Sequence, residues 1–486
     1  LLHSGARYAV TDQESATECI KENMILKKIA RHCVDDTSGL FITLPEDDLA
    51  YQDTFVKACL AAGINAEVID PEEAKRMEPS VNPSLIGAVK VPDGSVDPFR
   101  LCASNVFDAK IHGAKVLVYS EVIEFIKEQD TIKGVKVLDH HTGIVTDYYA
   151  PVTVNAGGIW GHHIAQMAGA NISMFPAKGA LLIFAHRVNS VVINRCRKPA
   201  NADILVPGDT VCVIGTTSTR VPYEECDHLK VTPDEVDLLL TEGAKLAPCL
   251  AETRVLRAYA GVRPLVSADN DPSGRNISRG IVCLDHETRD GIKGFISITG
   301  GKLMTYRLMG EMAADAVCKK LGRDAKCVTA YTPLPGSEPG GIEEISKKIW
   351  EVPTMVQKAS VGRFGTQAAN LDFDGDVKGS LVCECEEVSV SEVDSAIENL
   401  EVNNLVDLRR RTRFGMGTCQ GELCACRAAG RLAKARKCTA KARADLKDFM
   451  DERWKGMYPV AWGETLRESA YTQWVYSEVM GLGEEI

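Results

Sequence analysis

The stretch GFISITGGKLMTYRLMGEMAADAV, residues 294–317, decides the fold class. Its first half is rich in β-branched residues, which predicts a buried strand that ends at Gly300-Gly301. The amphipathic pattern that follows predicts a long helix. A helix that begins where a strand ends presents bare N–H groups and its positive dipole end there, which suits an electron-rich ring edge or a phosphate. The alternative, glycines that only allow tight strand–helix packing, stays open on the sequence.

Around this stretch, the first 330 residues mix short strand-like runs with helical stretches. The pattern is mixed α/β with a substantial antiparallel component, rather than a simple alternation of strand and helix. The predicted elements include the strands GLFITL (39–44), AKVLVYSEV (114–122), PVTVNAGG (151–158), ALLIFA (180–185) and VCVIGTT (211–217), and helices over 15–33 and 302–321.

Composition indicates a globular protein of two or three domains, with 486 residues of which 45% are hydrophobic and 25% charged. No apolar run approaches the roughly 18 residues of a membrane-spanning helix, so we expect any membrane contact to be peripheral. The net charge of −11 argues against nucleic acid as the main partner. Residues 401–450 nevertheless hold 12 Lys and Arg against 5 Asp and Glu, which predicts a basic unit with either a solvated face or a docking surface.

Sixteen of the seventeen cysteines fall into two groups, and Cys438 lies apart from both. Eleven are scattered singly between Cys19 and Cys327, and we interpret these as reduced core residues in a reducing compartment. The other group contains a C-x-C pair, a spacer of 33 residues and a C-x4-C pair, formed by Cys383, Cys385, Cys419 and Cys424, with Cys426 just beyond. Four thiolates from two turns can hold an iron–sulfur cluster or a structural zinc, and reduced structural cysteines are the third possibility.

The surroundings of these cysteines favour an iron–sulfur cluster. Structural zinc usually takes C-x2-C pairs, whereas the first pair here is C-x-C. The glycine-rich approach GMGTCQGELC leaves backbone N–H groups available to sulfur. Nearby arginines are expected to offset the negative charge of a cluster, and these are Arg409, Arg410, Arg411, Arg413 and Arg427.

Two further stretches point to a ligand site in the larger part of the chain. VTVNAGGIW, residues 152–160, predicts a strand followed by Ala156-Gly157, where a backbone can approach a ligand, although many strand-to-helix turns have this pattern. YAGVRPLVSADNDPSGR, residues 259–275, places Arg263 in a turn-rich setting. A single arginine is usually a surface charge, but with the arginine of SGARY it can form a clamp on an anion.

The segment 381–435 resembles the bacterioferritin-associated-ferredoxin-like [2Fe–2S] domain, which has a C-x-C pair, a long spacer and two further cysteines in a glycine-rich loop. Cys424 fits the loop spacing better than Cys426, which we expect on the following helix. The resemblance implies four cluster ligands, Cys383, Cys385, Cys419 and Cys424.

Nearly the whole chain resembles the FAD-containing large subunits of bacterial anaerobic glycerol-3-phosphate dehydrogenases, in the D-amino-acid-oxidase-like superfamily. Matching stretches include LLHSGARYAV, VPDGSVDPFRL, INRCRKPANADILVPGDT, GVRPL, ITGGKLMTYRLM and DLRRRTRFGMGTCQGELCACRAAG. The resemblance implies a mixed α/β fold of the glutathione-reductase-like FAD type, with an antiparallel-sheet substrate domain and a small, mostly helical [2Fe–2S] domain. The expected boundaries are 1–332 for the FAD-dependent domain, 333–380 for a connector, 381–435 for the iron–sulfur domain and 436–486 for a helical tail.

The chemistry that the resemblance implies is oxidation of sn-glycerol 3-phosphate to dihydroxyacetone phosphate by hydride transfer to FAD. Arg7 and Arg263 are expected to bind the substrate phosphate, Tyr8 to hydrogen-bond the substrate, and Lys302 to polarise the forming ketone. Related aerobic enzymes carry Lys-Gly-Ser-His where this chain has KGAL from residue 178, so Lys178 or His3 is left as the candidate base. The expected flavin contacts are His3, Ser4, Gly5, Ala156, Gly157, Gly300, Gly301, Lys302 and Leu303.

The resemblance also implies partners and a place in the cell. The expected partners are the companion B and membrane-anchoring C subunits of a complex and, indirectly, the quinone pool, with the protein cytoplasmic and peripheral on the inner face of the membrane. The G-x-G-x-x-G unit that opens FAD enzymes of this superfamily does not occur in the sequence, so we expect the chain to be a fragment. The alternatives are an oxidoreductase of the same superfamily acting on an amino acid or hydroxy acid, and a non-catalytic electron-transfer subunit.

Overall fold

A computed structural model describes residues 1–266, 280–375 and 377–483. The turn-rich residues 267–275, predicted to lie beside an anion clamp, fall outside the described residues. The larger unit contains the strands β1 (Val34–Asp35), β2 (Gly39–Thr43), β3 (Glu67–Ile69), β4 (Gly87–Val91), β5 (Ser95–Val96), β6 (Ser120–Glu128), β7 (Thr131–Asp139), β8 (Val145–Tyr149), β9 (Thr153–Asn155), β10 (Met174–Phe184), β11 (Val192–Arg195), β12 (Ile204–Pro207), β13 (Cys212–Gly215), β14 (Thr219–Arg220), β15 (Val255–Val266), β16 (Ile281–Asp285) and β17 (Phe295–Gly300).

The helices of this unit pack on these strands, and two further helices lead to the C-terminal unit. Those of the larger unit are α1 (Gln13–Ile29), α2 (Ala50–Ala61), α3 (Pro71–Met77), α4 (Pro98–Ile111), α5 (Gly161–Met167), α6 (Pro233–Leu246), α7 (His286–Asp290) and α8 (Tyr306–Lys320). The connecting helices are α9 (Ile342–Ile349) and α10 (Met355–Phe364).

The largest sheet has the order β14-β10-β13-β12-β11-β2-β4-β3, and β15 also pairs with β10. Its neighbouring strands are antiparallel except for β11 and β2, which run parallel. Leu182 and Phe184 of β10 are buried in one core with Leu239 of α6. This sheet with its helix cover is the antiparallel component that the sequence predicts.

A second sheet has the order β16-β17-β9. β17 runs parallel to β9, with Ser297 opposite Asn155, so the carboxyl ends of both strands lie at the same edge. The antiparallel sheet β6-β7-β8 packs beside it, where Phe125 and Ile132 share a core with Phe295. The predicted ligand stretches 152–160 and 294–317 are therefore neighbours in space.

Two predicted elements begin later than the sequence indicates. The strand predicted over 114–122 begins only at Ser120, because Tyr119 adopts φ 53° and its hydroxyl donates to Asp407 of the C-terminal unit. The helix predicted from residue 302 begins at Tyr306, after a 3-10 turn over Leu303–Thr305.

The C-terminal unit has its own core, in which Phe414 stacks on Phe449. A capping box precedes the helix that begins at Val390, since the hydroxyl of Ser389 accepts from the N–H of Glu392 and the Glu392 carboxylate accepts from the N–H of Ser389. The elements of this unit are β18 (Leu381–Cys383), β19 (Val388–Ser389), α11 (Val390–Asn399), α12 (Leu405–Thr412), α13 (Ala425–Arg436), α14 (Ala442–Met457) and α15 (Gly463–Trp474).

Candidate functional site

The N-terminal loop is fixed by a buried carboxylate. The backbone N–H and the hydroxyl of Ser4 both donate to Oδ1 of Asp93, each at 2.7 Å, and Asn194 donates to Oδ2 at 3.3 Å. Burial raises the pKa of Asp93, and the hydrogen bonds from Ser4 oppose that shift. Gly5 has φ +95°, and a Cβ there would lie 2.5 Å from the carbonyl oxygen of Ala16 in α1. The loop therefore has one tightly defined path.

This loop meets the turn after β17. The ring of His3 lies 5.3 Å from that of Tyr8, centre to centre, and the Lys302 ammonium lies 5.0 Å from the centre of the Tyr8 ring. Leu303 begins the 3-10 turn and is exposed. The structure thus brings together three residues that the sequence places in the site, at the carboxyl edge of a parallel strand pair, where α/β proteins bind ligands.

The glycines at this edge serve packing within the protein. A Cβ at Gly300 would lie 2.5 Å from the carbonyl oxygen of Gly280, and one at Gly301 would lie 2.7 Å from Sδ of Met309. At Gly157 a Cβ would lie 2.5 Å from Cδ1 of Ile164. Tight packing accounts for these residues, so the fit to a flavin ring depends on the aromatic and cationic side chains beside them.

Asn155 fixes the turn that contains Ala156 and Gly157. Its side-chain amide donates to the carbonyl oxygen of Gly161 at 2.8 Å and to Ser297 Oγ at 3.2 Å, and its Oδ1 accepts from the N–H of Gly157 at 3.1 Å. Because Ser297 belongs to β17, this buried amide holds the two strand ends in register. The sequence analysis did not single out Asn155 as a site residue, although it belongs to the stretch VTVNAGGIW.

The two predicted anion-binding arginines are anchored on adjacent loops. Arg7 donates through Nη2 to the carbonyl oxygen of Ala200 at 2.9 Å and pairs with Asp203 at 3.2 Å. Arg263 donates through Nη2 to Thr216 Oγ1 at 3.1 Å. The two loops are joined by a hydrogen bond of 3.3 Å from the N–H of residue 202 to the carbonyl oxygen of Thr216. Asp203 and Thr216 could not be recognised from the sequence, because their roles depend on contacts distant in the chain.

Glycine is required opposite Arg263. A Cβ at Gly179 would lie 2.5 Å from Nη2 of Arg263 and 2.5 Å from Oγ1 of Thr216. Gly179 therefore leaves the space that the guanidinium occupies. The adjacent Lys178 must point to the opposite face of β10, because side chains alternate along a strand.

The side chain of Lys178 accordingly points away from Arg263, although the carbonyl oxygen of Lys178 accepts from Nη1 of Arg263 at 3.4 Å. Its ammonium donates to Glu235 of α6 at 2.9 Å and to the carbonyl oxygen of Lys230 at 2.9 Å. Ala180 and Leu182 follow on the same face and belong to the core beneath α6. The contacts of Lys178 thus link β10 to α6.

The four predicted ligand cysteines converge in the C-terminal unit. The thiol of Cys424 lies beside those of Cys383 and Cys419, and the thiol of Cys385 lies beside that of Cys419. Cys426 is exposed on α13, whereas Cys424 is buried at its beginning. Within the described ranges, no three His, Cys, Asp or Glu side chains are grouped as ligands of a single metal ion. The cysteines instead form a chain of paired contacts.

Backbone N–H groups surround the sulfurs. Those of Gly415 and Glu386 hydrogen-bond Cys383, and those of Gly421 and Leu423 hydrogen-bond Cys419. The pKa of Cys419 is lowered by its contacts with the thiols of Cys385 and Cys424 and by these N–H donors, although burial opposes the shift. Four thiols within a cradle of N–H donors fit a [2Fe–2S] cluster, whose sulfurs accept such hydrogen bonds.

An ion-pair network joins the C-terminal unit to the larger unit beside the cysteines. Arg413 contacts Asp97 at 2.7 Å, Glu386 at 2.8 Å and Asp209 at 3.0 Å. Burial opposes the charge of Arg413, but these carboxylates outweigh it and raise the pKa of the guanidinium. Thr210 also donates to Glu386. Since Glu386 follows Cys385 in the chain, this network fixes one side of the cysteine site against the larger unit.

The tryptophans of the C-terminal unit are partly exposed and lie outside its core. Trp454, Trp462 and Trp474 are 41%, 46% and 55% exposed. They lie on α14, on α15 and in the segment between these helices, and the core of this unit is formed by other side chains. No helix in the described part of the chain combines the length and the apolar character that spanning a bilayer requires.

Comparison with known proteins gives matches over the whole chain. A family model of FAD-dependent oxidoreductases matches residues 1–307, and one of BFD-like [2Fe-2S] binding domains matches residues 381–432. The chain is 61% identical to the A subunit of the anaerobic glycerol-3-phosphate dehydrogenase of Haemophilus influenzae, covering 100% of this chain and 86% of the relative. It is also 61% identical to the Escherichia coli K12 protein of that name, with 100% and 90% coverage.

A solved structure shares the fold. The glycerol-3-phosphate dehydrogenase of Bacillus halodurans, complexed with FAD, aligns with a TM-score of 0.68 at 20% identity. The alignment covers 95% of this chain and 94% of the other. At this identity the likeness shows the fold alone, and the FAD-dependent oxidoreductase family is shown by the family model that matches residues 1–307.

Proposed function

The chain belongs to the family of anaerobic glycerol-3-phosphate dehydrogenase A subunits, and from this premise we propose how its residues oxidise sn-glycerol 3-phosphate to dihydroxyacetone phosphate. This function is supported above all by the 61% identity to two A subunits of anaerobic glycerol-3-phosphate dehydrogenases over the full chain. Both family models fall within that alignment, so the protein is an FAD-dependent glycerol-3-phosphate dehydrogenase with a [2Fe–2S] domain.

Arg7 and Arg263 bind the substrate phosphate in this proposal. A guanidinium has five N–H donors in a planar fork, so one that is anchored to protein acceptors can present another edge to a phosphate. Asp203 anchors Arg7, and Thr216 anchors Arg263. The hydrogen bond between the two anchoring loops supports a joint clamp, because it fixes one loop relative to the other.

Lys302 and Tyr8 act on the reacting end of the substrate. The ammonium of Lys302 stabilises negative charge that develops on the C2 oxygen as its proton leaves, and the hydroxyl of Tyr8 orients that oxygen. Their contact of 5.0 Å supports this assignment, since it places a cation and a hydroxyl-bearing ring together at the strand edge.

We assign the proton-accepting role to His3 rather than to Lys178. His3 lies against Tyr8, whereas the Lys178 ammonium is bound to Glu235 on the opposite face of β10. A neutral imidazole can accept a proton from a substrate hydroxyl and release it later.

FAD would supply the acceptor for the C2 hydrogen as hydride, and the residues that would hold its ring end are His3, Ser4, Gly5, Ala156, Gly157, Gly300, Gly301, Lys302 and Leu303. Asp93 and Asn155 position this set through the buried hydrogen bonds of Ser4 and Gly157. The cluster, when bound to Cys383, Cys385, Cys419 and Cys424, takes electrons one at a time.

The relatives are named as subunits, and we extend this to the present chain as one component of a multi-subunit complex. We further propose that its partners are the B and membrane-anchoring C subunits of that complex, which pass electrons to the quinone pool. The protein then works in the cytoplasm, at the inner face of the membrane, through these partners. Co-purification from a membrane fraction with and without the companion subunits tests this assignment.

Substrate choice is tested by steady-state reduction of an artificial electron acceptor by the FAD-loaded enzyme. We expect turnover with sn-glycerol 3-phosphate and none with glycine, proline or lactate at equal concentration. Glycerol without the phosphate serves as the matched control, because the arginine clamp has nothing to bind on it. Turnover of an amino acid but not of the phosphate ester would exclude the proposed activity.

A further inference from the structure

Two buried guanidinium groups meet on one amide beside the cysteine site. Nη2 of Arg409, in α12, donates to Oε1 of Gln420 at 3.0 Å, and Nη1 of Arg257, in β15, donates to the same oxygen at 3.5 Å. Arg409 is 8% exposed, Arg257 is 7% exposed and Gln420 is 1% exposed. Two positive charges therefore converge where solvent hardly reaches.

Neither guanidinium forms an ion pair with a carboxylate in the described part of the chain, although Glu452 acts on both from farther away in the direction that favours their charge. No Asp or Glu oxygen among these residues lies within 4.0 Å of either guanidinium, and Nε of Arg409 is buried without a hydrogen-bond acceptor. Burial lowers the pKa of both groups. Burying an unpaired charge is strongly unfavourable, so a compensating negative group is to be expected nearby.

The other arginines that the sequence associates with the cluster are compensated or solvated. Arg413 contacts three carboxylates, and Arg427 pairs with Glu384 at 2.5 Å. Arg410 is exposed, and Arg411 donates to the carbonyl oxygen of Leu400 at 3.2 Å. Arg409 differs from these neighbours because it is buried without an ion pair among the described residues. Arg257, which no sequence pattern marks, shares this property.

The amide that both arginines contact belongs to the cysteine loop. Gln420 directly follows Cys419, and its Nε2 donates to the carbonyl oxygens of Met416 and Gly417 at 2.9 Å each. An ionised Cys424 acts on Arg409 in the direction that favours its charge. Arg409 therefore lies within electrostatic reach of Cys424, and Arg257 is joined to the same loop through Gln420.

Arg257 reaches this place from the larger unit. Its guanidinium occupies a notch at Gly456 of α14, where a Cβ would lie 2.5 Å from Nη2. Arg254 of the segment leading into β15 donates to the carbonyl oxygen of Thr418 at 3.0 Å. Further along β15 lies Arg263, roughly 20 Å from Arg257 at about 3.3 Å per residue. One strand thus links the proposed substrate clamp to the cysteine site.

We propose that Arg257 and Arg409 are the buried counter-charges of the [2Fe–2S] cluster and raise its reduction potential. The inference rests on the cofactor assignment of the proposed function. A cluster held by four thiolates carries net negative charge and gains another on reduction, so a nearby buried cation favours the reduced form. Because Arg257 belongs to the larger unit, the potential is set only when the two units are docked.

An EPR-monitored redox titration of the loaded enzyme tests this role with Arg257→Gln and Arg409→Gln. We expect each variant to make cluster reduction at least tenfold less favourable, which is a shift of about 59 mV to more negative potential for a one-electron couple. Arg410→Gln, on the solvent side of the same helix, is the matched control and should shift little, because water and salt screen its charge. Arg257→Lys and Arg409→Lys keep the charge and should retain most of the potential.

Thermal unfolding of the cluster-free protein separates charge compensation from packing. Without a cluster, the Gln variants should be as stable as the wild type or more stable, because an unpaired buried charge has been removed. Equal destabilisation of the loaded and cluster-free forms would show a structural role and overturn the proposal. An unchanged potential in both Gln variants, or an equal shift in Arg410→Gln, would also overturn it. A wild type with no [2Fe–2S] signal would instead refute the cofactor assignment, and the proposal with it.

Discussion

The Lys302 ammonium lies 5.0 Å from the centre of the Tyr8 ring. This contact joins the N-terminal loop to the turn after β17, two segments at opposite ends of the larger unit's sequence. Tyr8 also contacts His3, so three polar side chains converge beside the carboxyl ends of β9 and β17. In the proposed function this is where the C2 hydroxyl of the substrate reacts.

Lys302→Met removes the charge but retains most of the apolar side chain. We expect kcat with sn-glycerol 3-phosphate to fall by about 100-fold or more with a smaller change in KM, as in other enzymes that lose a group stabilising developing negative charge. Steady-state kinetics of the FAD-loaded enzyme measure this. Lys319→Met, on the exposed side of α8, is the control and should leave kcat unchanged. A normal kcat in Lys302→Met would remove this residue from the reaction.

Arg413→Asn tests the junction between the two units. Asparagine tolerates the φ of 70° at this position, so the effect reports the ion pairs with Asp97, Asp209 and Glu386. Because two of these carboxylates are largely buried, we expect a loss of about 3–5 kcal/mol in the free energy of unfolding. Substrate should still reduce the flavin, while electron transfer to the cluster slows.

Urea unfolding and stopped-flow absorbance measure these two effects. Arg467→Ala is the matched control, because its pair with Glu464 is exposed and contributes at most about 1 kcal/mol. Cluster reduction at the wild-type rate in Arg413→Asn would mean that the ion pairs do not govern docking.

The burial of His32 is expected to lower the free energy of unfolding at acidic pH. Its ring nitrogens lie 2.9 Å from Ser104 Oγ and 2.9 Å from Ser337 Oγ, and burial, assisted by the charge of Arg100, lowers its pKa from 6.5 to about 4. The native state therefore binds fewer protons than the unfolded state between these values, and stability is lost as pH falls through this window. We expect a loss of about 2 kcal/mol between pH 7 and pH 5 from this residue.

Urea unfolding at pH 7 and pH 5 checks the contribution of His32. His32→Gln should show a pH dependence smaller by about 2 kcal/mol than the wild type. The exposed His228→Gln should behave as the wild type does. An identical pH dependence in His32→Gln and the wild type would contradict the expectation.

Two cysteine variants test whether Cys424 or Cys426 is the fourth ligand of the cluster. Cys424 is buried and contacts Cys383 and Cys419, whereas Cys426 is exposed on α13. We expect Cys424→Ser to lose or strongly alter the EPR signal of the reduced cluster, and Cys426→Ser to keep it with full iron content. The reverse result would transfer the ligand role to Cys426.

The sequence predicts those features that neighbouring residues determine. The strand that ends at Gly300 follows from a run of β-branched residues, and the capping box at Ser389 and Glu392 follows from their spacing. The cysteine pattern likewise identifies the domain without knowledge of its fold. In each case the signal lies within a few residues or in a fixed spacing.

Features that depend on distant partners could not be predicted. Side chains alternate along a strand, so Lys178 and Gly179 must lie on opposite faces of β10. Only the packing of α6 shows which of these faces points away from Arg263. The hydrogen bonds of Asp93 to Ser4 and of Arg257 to Gln420 join segments far apart in the chain. No local pattern marks either contact.

The central claim is most directly tested by adding sn-glycerol 3-phosphate anaerobically to enzyme loaded with FAD and iron–sulfur cluster. Absorbance at the flavin band and EPR of the same sample are recorded before and after addition. We predict that substrate bleaches the flavin and produces the signal of a reduced [2Fe–2S] centre, while glycerol does neither. No bleaching by the phosphate ester in fully loaded enzyme would contradict the account.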